Sequence, residues 1–180
     1  MASLSRILPA ALALAGGMAT GAAQAQQQPP TYHYFEAGFS SGLMSVSADS
    51  DHIGADGWMV GYRFNKNVGV QATGFSANTP FHQKLAGDGT PLYDFARYAG
   101  VQVVGYIPAT SSWDIYGAVG VGRSIYGTAQ PGFGNTSKTD GVIEGGLRWQ
   151  VFQHFATSIE LVRVLDAQST YAALRAEVNF

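Results

Sequence analysis

The stretch YAALRAEVNF, residues 171–180, decides the fold. Read back in twos from its last residue it gives Phe180, Val178, Ala176, Leu174 and Ala172, all apolar. Between them stand Asn179, Glu177, Arg175, Ala173 and Tyr171. A strict two-residue alternation marks a strand with one apolar and one polar face. Chain ends usually fray and tolerate change. Alternation kept up to the final residue therefore predicts a strand paired on its edges, with a medium for its apolar face to meet.

Working outward, the same signature recurs along the chain and helical periodicity does not. Eight strands are predicted, at about 33–44, 57–65, 68–77, 95–107, 113–126, 140–151, 155–164 and 170–180. Their connections alternate in length. SVSADSDHIGAD, NTPFHQKLAGDGTPLYD and GTAQPGFGNTSKT are long, with LDAQS intermediate; KN, PATSS and FQH are short. Long loops at one end and tight turns at the other are the pattern of a membrane barrel. Eight strands of roughly ten residues match a small closed barrel spanning a bilayer. The predicted fold is all-β, an eight-stranded antiparallel transmembrane up-and-down barrel. Its termini lie at the turn end, and its exposed loops are at about 45–56, 78–94, 127–139 and 165–169.

The facing of the strands supports this reading. One parity collects Phe35, Phe39, Trp58, Val60, Val70, Val101, Val103, Ile115, Val119, Val121, Ile143, Leu147, Ile159 and Leu161, with the alternating set of the last strand. Arg97, Arg123 and Arg163 share this parity, but only at loop-side strand ends, where a long side chain reaches the headgroups. The other parity holds Ser40, Gln71, Thr73, Gln102, Gln150 and Ser158, several glycines, and a charge network of Glu36, Arg63, Glu144, Arg148, Glu160, Arg175 and Glu177. A soluble barrel would place the apolar set inside; this order is inverted. In this register Glu36 stands beside Arg63 and Arg175, and Arg148 faces Ser158 and Glu160. The aromatics fall near strand ends as two belts. Phe64, Tyr106, Trp113, Trp149, Phe152, Phe155 and Phe180 are at the turn end. Trp58, Phe75, Tyr93, Phe95 and Tyr126 are at the loop end.

Composition sets the limits. The 180 residues include 23 glycines and no cysteine, and only 12% are charged, against roughly 25% in ordinary globular domains. Disulfides and thiolate metal sites are excluded. The net charge of −2 gives no basic footprint for nucleic acid. Mean hydropathy is only +0.03, which is uninformative for a barrel because alternating faces average out. Residues 1–25 read as a signal peptide: Arg6, the apolar run 7–19, and Ala23-Gln24-Ala25 as a cleavage motif. Loss of this segment removes Arg6 and takes the net charge from −2 to −3. Residues 26–31 read as a polar leader and 32–180 as the barrel domain.

GWMVGYRFNKNVGVQATGF, WDIYGAVGVGRS and GGLRWQVFQHFATSIELVRV resemble the recurrent strand-turn-strand units of the OmpA-like family of eight-stranded outer-membrane barrels. The resemblance covers about residues 32–180. It implies a monomer in the outer membrane of a Gram-negative bacterium, in contact with outer-membrane lipids. It also implies that the last strand, with Phe180, Val178, Ala176 and Leu174, is a signal read by the barrel-assembly machinery. The sequence departs from longer members, which carry a peptidoglycan-binding domain, so a cell-wall anchoring role is not implied.

Motifs for chemistry are weak. Lipid-modifying barrels need a histidine beside a serine with an orienting carboxylate. His33 and His154 fall at the turn end; His52, in ADSDHIGAD, and His82, in TPFHQK, fall in loops. Asp49, Asp51, Asp56 and Asp88 lack the glycine and final glutamate of a calcium loop. No catalytic residue, cofactor or metal site is predicted. The expected role is structural or interactive, through the loops. The alternatives are a narrow pore for ions or small solutes and, third, a lipid A-modifying enzyme.

Overall fold

The computed structural model describes residues 33–45, 52–78, 94–127 and 134–180. The predicted signal peptide and leader, His82, Asp49, Asp51 and Asp88 lie outside them. Eight strands form: β1 (Tyr34–Ser45), β2 (His52–Arg63), β3 (Val68–Ala77), β4 (Asp94–Pro108), β5 (Trp113–Gly127), β6 (Thr136–Phe152), β7 (Phe155–Val164) and β8 (Ser169–Asn179). Each pairs antiparallel with the next, and β8 pairs with β1, closing the cylinder. The fold class predicted from the alternation is the one observed. Among the described residues no helix is long and apolar enough to cross a membrane, which says nothing about crossing with strands.

The short turns are built from side chains that satisfy backbone groups locally. Asn65 Oδ1 accepts from the N–H groups of Asn67 and Val68 at 2.8 and 3.0 Å, the Asx geometry that suits asparagine to tight turns. Thr110 Oγ1 does the same for Ser112 and Trp113. At the opposite end, the β7–β8 turn is pinned by Asp140 Oδ1, which accepts from Asp166 N at 2.8 Å.

Two strands extend past their predicted limits. β2 starts at His52 and β6 at Thr136. The stretches HIGAD and TSKT read as loop because of their polar residues and small side chains. Once paired with β1 and β5 they continue the ladder, and polar side chains outside the apolar band are free to face water.

The inversion of faces is complete across the middle of the barrel. Phe39, Val101, Val119 and Ile159 are each about 60% exposed, while Arg63, Arg148, Arg175 and Glu177 are buried. Pairing every backbone group in a closed ladder is what permits a sheet to sit in hydrocarbon. At the turn end the outer surface carries an aromatic girdle. Trp113 and Trp149 stack at 5.5 Å, and Phe35, Tyr62 and Phe64 form a chain of ring contacts.

The loop-end belt differs from expectation. Trp58 does face out, but Phe75, Phe95 and Tyr126 pack inside the barrel, as does Tyr106 from the turn-end set. Phe75 shares parity with Gln71 and Thr73 on β3, Tyr106 with Gln102 on β4, and Tyr126 with Ser124 on β5. Phe95 has outward parity, but a bulge between Phe95 and Arg97 inserts one extra residue against β5 and turns the ring inward. Tyr93 lies outside the described residues.

Candidate functional site: the filled lumen

The interior has two storeys. The turn-end storey is charged. The side chains of the predicted network are all buried there, but the pairs differ from those expected. Glu36 lies opposite Gly61 and Asn179, Arg63 opposite Tyr34, and Arg175 opposite Ser40. The actual register is displaced along the barrel, so Glu36 does not bridge Arg63 and Arg175. Its Oε1 instead accepts from Tyr106 Oη at 3.0 Å.

Arg63 finds its carboxylate across the lumen. Its Nη1 reaches Asp114 Oδ2 at 2.7 Å, Nη2 donates to Lys66 O at 2.6 Å, and the guanidinium lies 3.9 Å over the Tyr106 ring. Arg148 Nε donates to Glu177 Oε2 at 2.6 Å, while Nη2 donates to Asn179 Oδ1 at 3.1 Å and Nη1 to Gln150 Oε1 at 2.9 Å. Arg148 does lie opposite Ser158, as expected, whereas Glu160 lies opposite Gly146. Glu177 also accepts from Ser158 Oγ at 2.9 Å, which joins the three side chains Arg148, Ser158 and Glu177. Arg148 Nη1 stands 3.6 Å from Asp114, linking the two arginines through one carboxylate. Arg175 pairs with Glu160 and, at 3.1 Å, with Glu144, which also accepts from Gln71 Nε2 at 3.1 Å.

These contacts follow from cost. A buried charge is tolerated when paired and hydrogen-bonded. Arg63 and Arg148 spread their planar donor forks over several acceptors, whereas Arg175 meets both glutamates through Nη2 and its Nε has no hydrogen-bond partner among the described residues. Asp114, Asn179 and Asp140 are part of the interior but were absent from the predicted network. Asp114 shares inward parity with Gly120 and Gly122, so counting in twos along β5 would have found it. Beside the network lies a water-sized gap lined by Glu36, Met59, Gln71, Tyr106, Tyr116, Arg148, Arg175 and Glu177. Glu36 Oε2 and Tyr116 Oη have no hydrogen-bond partner among the described residues.

The loop-end storey is mainly apolar, with Asp140 buried at its edge and accepting from Ser124 Oγ at 2.9 Å. Phe75 stacks on Tyr171 at 5.0 Å and on Tyr98 at 5.6 Å, with Phe95 at 5.9 Å. Met44, Val142, Val162 and Val164 complete the cluster. Tyr171 Oη is bonded to Ser40 Oγ at 3.1 Å, joining this layer to the one below. Gly100 and Gly122 make room for the Tyr98 hydroxyl, since a Cβ on either would lie 2.3 or 2.5 Å from it. The polar lumen is thus capped by rings, and two of the inward glycines, Gly100 and Gly122, form the socket for one of them.

The histidines do not assemble a catalytic group among the described residues. His33 is exposed, and His154 Nδ1 lies 3.1 Å from the backbone carbonyl of Asn179. Among the same residues no group of three histidine or acidic side chains could hold a metal.

No family model matches the chain, and no curated protein matches it. Solved structures do. The N-terminal β-barrel domain of Pseudomonas aeruginosa OprF is similar with a TM-score of 0.58 at 13% identity, over 81% of this chain and 97% of that one. Neisserial surface protein A is similar with a TM-score of 0.57 at 14% identity, over 83% and 98%. Ail, the attachment invasion locus protein of Yersinia pestis, is similar with a TM-score of 0.56 at 17% identity, over 82% and 97%. At these identities the likeness concerns the path of the backbone. With its closed eight-strand order and inverted faces, this chain has the fold of the eight-stranded transmembrane barrels of bacterial outer membranes.

Proposed function

We propose that the chain resides in a bacterial outer membrane, delivered by its signal peptide and the barrel-assembly machinery. In this reading it is a sealed barrel with a structural role and with its loop end as the contact surface. The observation that carries this reading is the filling of the lumen. An ion-paired floor built on Arg63, Arg148 and Arg175 lies beneath the ring cluster of Phe75, Tyr98 and Tyr171. A solute crossing would have to displace both. What remains for partners is the outside: a lipid-facing band and the connections at the loop end.

A narrow pore is the second reading, favoured by the water-sized gap among charged groups in the floor. Planar-bilayer recording separates the two. The protein, Arg63→Ala, Arg148→Ala and Phe75→Ala are each incorporated and assayed for discrete openings. A silent wild-type barrel supports the sealed reading. Steady single-channel conductance from the wild type, altered by the arginine substitutions, would replace it with the pore.

A further inference from the structure

Among the described residues the outward-facing cations are unevenly placed. Arg97 on β4, Arg123 on β5 and Arg163 on β7 are all exposed and all at the loop end of the lipid-facing surface. On β8, β1, β2 and β3 the described outward side chains of that same end include Thr170, Ser41, Leu43, Asp56 and Ser76, with no cation. The three arginines thus form a basic arc over one half of the circumference.

Two of the arc's members are braced. Arg123 Nε and Nη2 donate to Ser137 Oγ on β6 at 2.9 and 2.7 Å. Arg163 Nη1 donates to Thr170 Oγ1 on β8 at 3.0 Å. Hydroxyls hold these guanidinium groups without neutralising them. The nearby acid Asp166 is already matched by Lys138 at 3.0 Å. An arginine at the edge of the apolar band keeps its stem in hydrocarbon and its head at headgroup depth, and a planar fork suits phosphate oxygens.

We propose that the loop-end outer face of β4–β7 is a docking surface for phosphate-bearing anionic lipid headgroups of the leaflet on that side. The inference rests on the membrane-spanning reading above. It adds a lipid class and a side: the barrel gathers anionic lipid on one flank, with Arg97, Arg123 and Arg163 as contacts and Ser137 and Thr170 as braces.

The test is native mass spectrometry of protein purified from membranes into a neutral detergent. It is titrated with phosphatidic acid and with phosphatidylcholine of the same acyl chains. The wild type should retain phosphatidic acid preferentially, by about fivefold for each engaged arginine. The triple variant Arg97→Gln, Arg123→Gln, Arg163→Gln should lose that preference, while Lys66→Gln at the turn end should keep it. Should the triple variant not fold, the wild type alone decides. Raising the ionic strength until the Debye length is about 3 Å should erase its preference. Equal retention of both lipids by the wild type, or a preference that survives the triple substitution or the salt, overturns the proposal. Insertion into pure phosphatidylcholine vesicles, read as a heat-modifiable band, reports separately on the membrane reading. Insertion without lipid preference sinks only the arc.

Discussion

Phe180 and Phe35 exchange two backbone hydrogen bonds. Phe180 N donates to Phe35 O at 2.8 Å, and Phe35 N donates to Phe180 O at 3.2 Å. The final residue is therefore the last rung of the seam between β8 and β1. Its ring is 72% exposed on the outer surface at the turn end, in the aromatic girdle with Phe35 and Tyr62.

Deleting Phe180 should impair closure more than replacing its ring. The deletion removes both rungs, each worth about 1 kcal/mol net in ordinary settings, and puts the terminal carboxylate on Asn179. Phe180→Ala keeps the rungs and loses only the interfacial ring. Folding into vesicles, followed by the heat-modifiable gel shift, should therefore rank wild type above Phe180→Ala and Phe180→Ala above the deletion. Equal folding of the deletion and the wild type would contradict the seam as the determinant.

Parity made the outside of this barrel readable and left the inside only half readable. Lipid imposes one demand on every outward position, to be apolar, so counting in twos from Phe180 or Val119 suffices. The interior imposes pairwise demands. Whether Arg63 meets Glu36 or Asp114 depends on how far each strand is displaced against its neighbour, and a sequence states which face a residue is on but not its height. In the observed β1–β2 register Arg63 lies opposite Tyr34 rather than Glu36, and its guanidinium reaches Asp114 on β5 instead. Phe95 shows the other limit. Its bulge breaks the count itself, and nothing in the letters YDFARYAG marks where the extra residue sits.

Arg148 should be the costliest arginine to truncate. Arg148→Ala strips Glu177, Asn179 and Gln150 of a shared donor and leaves Glu177 with Ser158 as its remaining hydrogen-bond partner. Removing one partner of a buried pair costs about 3–5 kcal/mol, whereas replacing both by apolar groups is often near neutral. Urea unfolding of the refolded barrel should show Arg148→Ala strongly destabilised, and Arg148→Met with Glu177→Leu restored most of the way. A double variant as unstable as the single one would mean that the pair itself, rather than the stranded carboxylate, carries the stability.

The ring cap should respond as a packed core. Phe75→Ala removes the ring that stacks on both Tyr171 and Tyr98, and large-to-small changes of this kind cost about 3–5 kcal/mol. Phe39→Ala, on the lipid side of β1 and 62% exposed, should cost a fraction of that, because lipid closes over the lost ring. Urea midpoints of the two variants in the same bilayer give the comparison. A larger loss at Phe39 would argue against the inward placement of Phe75.

Three glycines offer the sharpest contrast between the faces. Gly105, Gly117 and Gly145 lie side by side on β4, β5 and β6, with Gly105 opposite Gly117 and Gly117 opposite Gly145. All three have outward parity, and a Cβ on Gly117 would meet only Glu144 O, at an ordinary 3.7 Å. Gly122, five residues further toward the loops on β5 and on the opposite face, is different. A Cβ there would stand 2.4 Å from Ala99 O and 2.5 Å from the Tyr98 hydroxyl. Gly117→Ala should therefore stabilise the barrel by about 0.4–1 kcal/mol, through the reduced freedom of the unfolded chain. Gly122→Ala should destabilise it by about 1–3 kcal/mol through overpacking. Urea unfolding of both in one lipid decides the matter, because opposite signs follow from the facing alone. A destabilising Gly117→Ala would mean that the strip is covered by something other than fluid lipid.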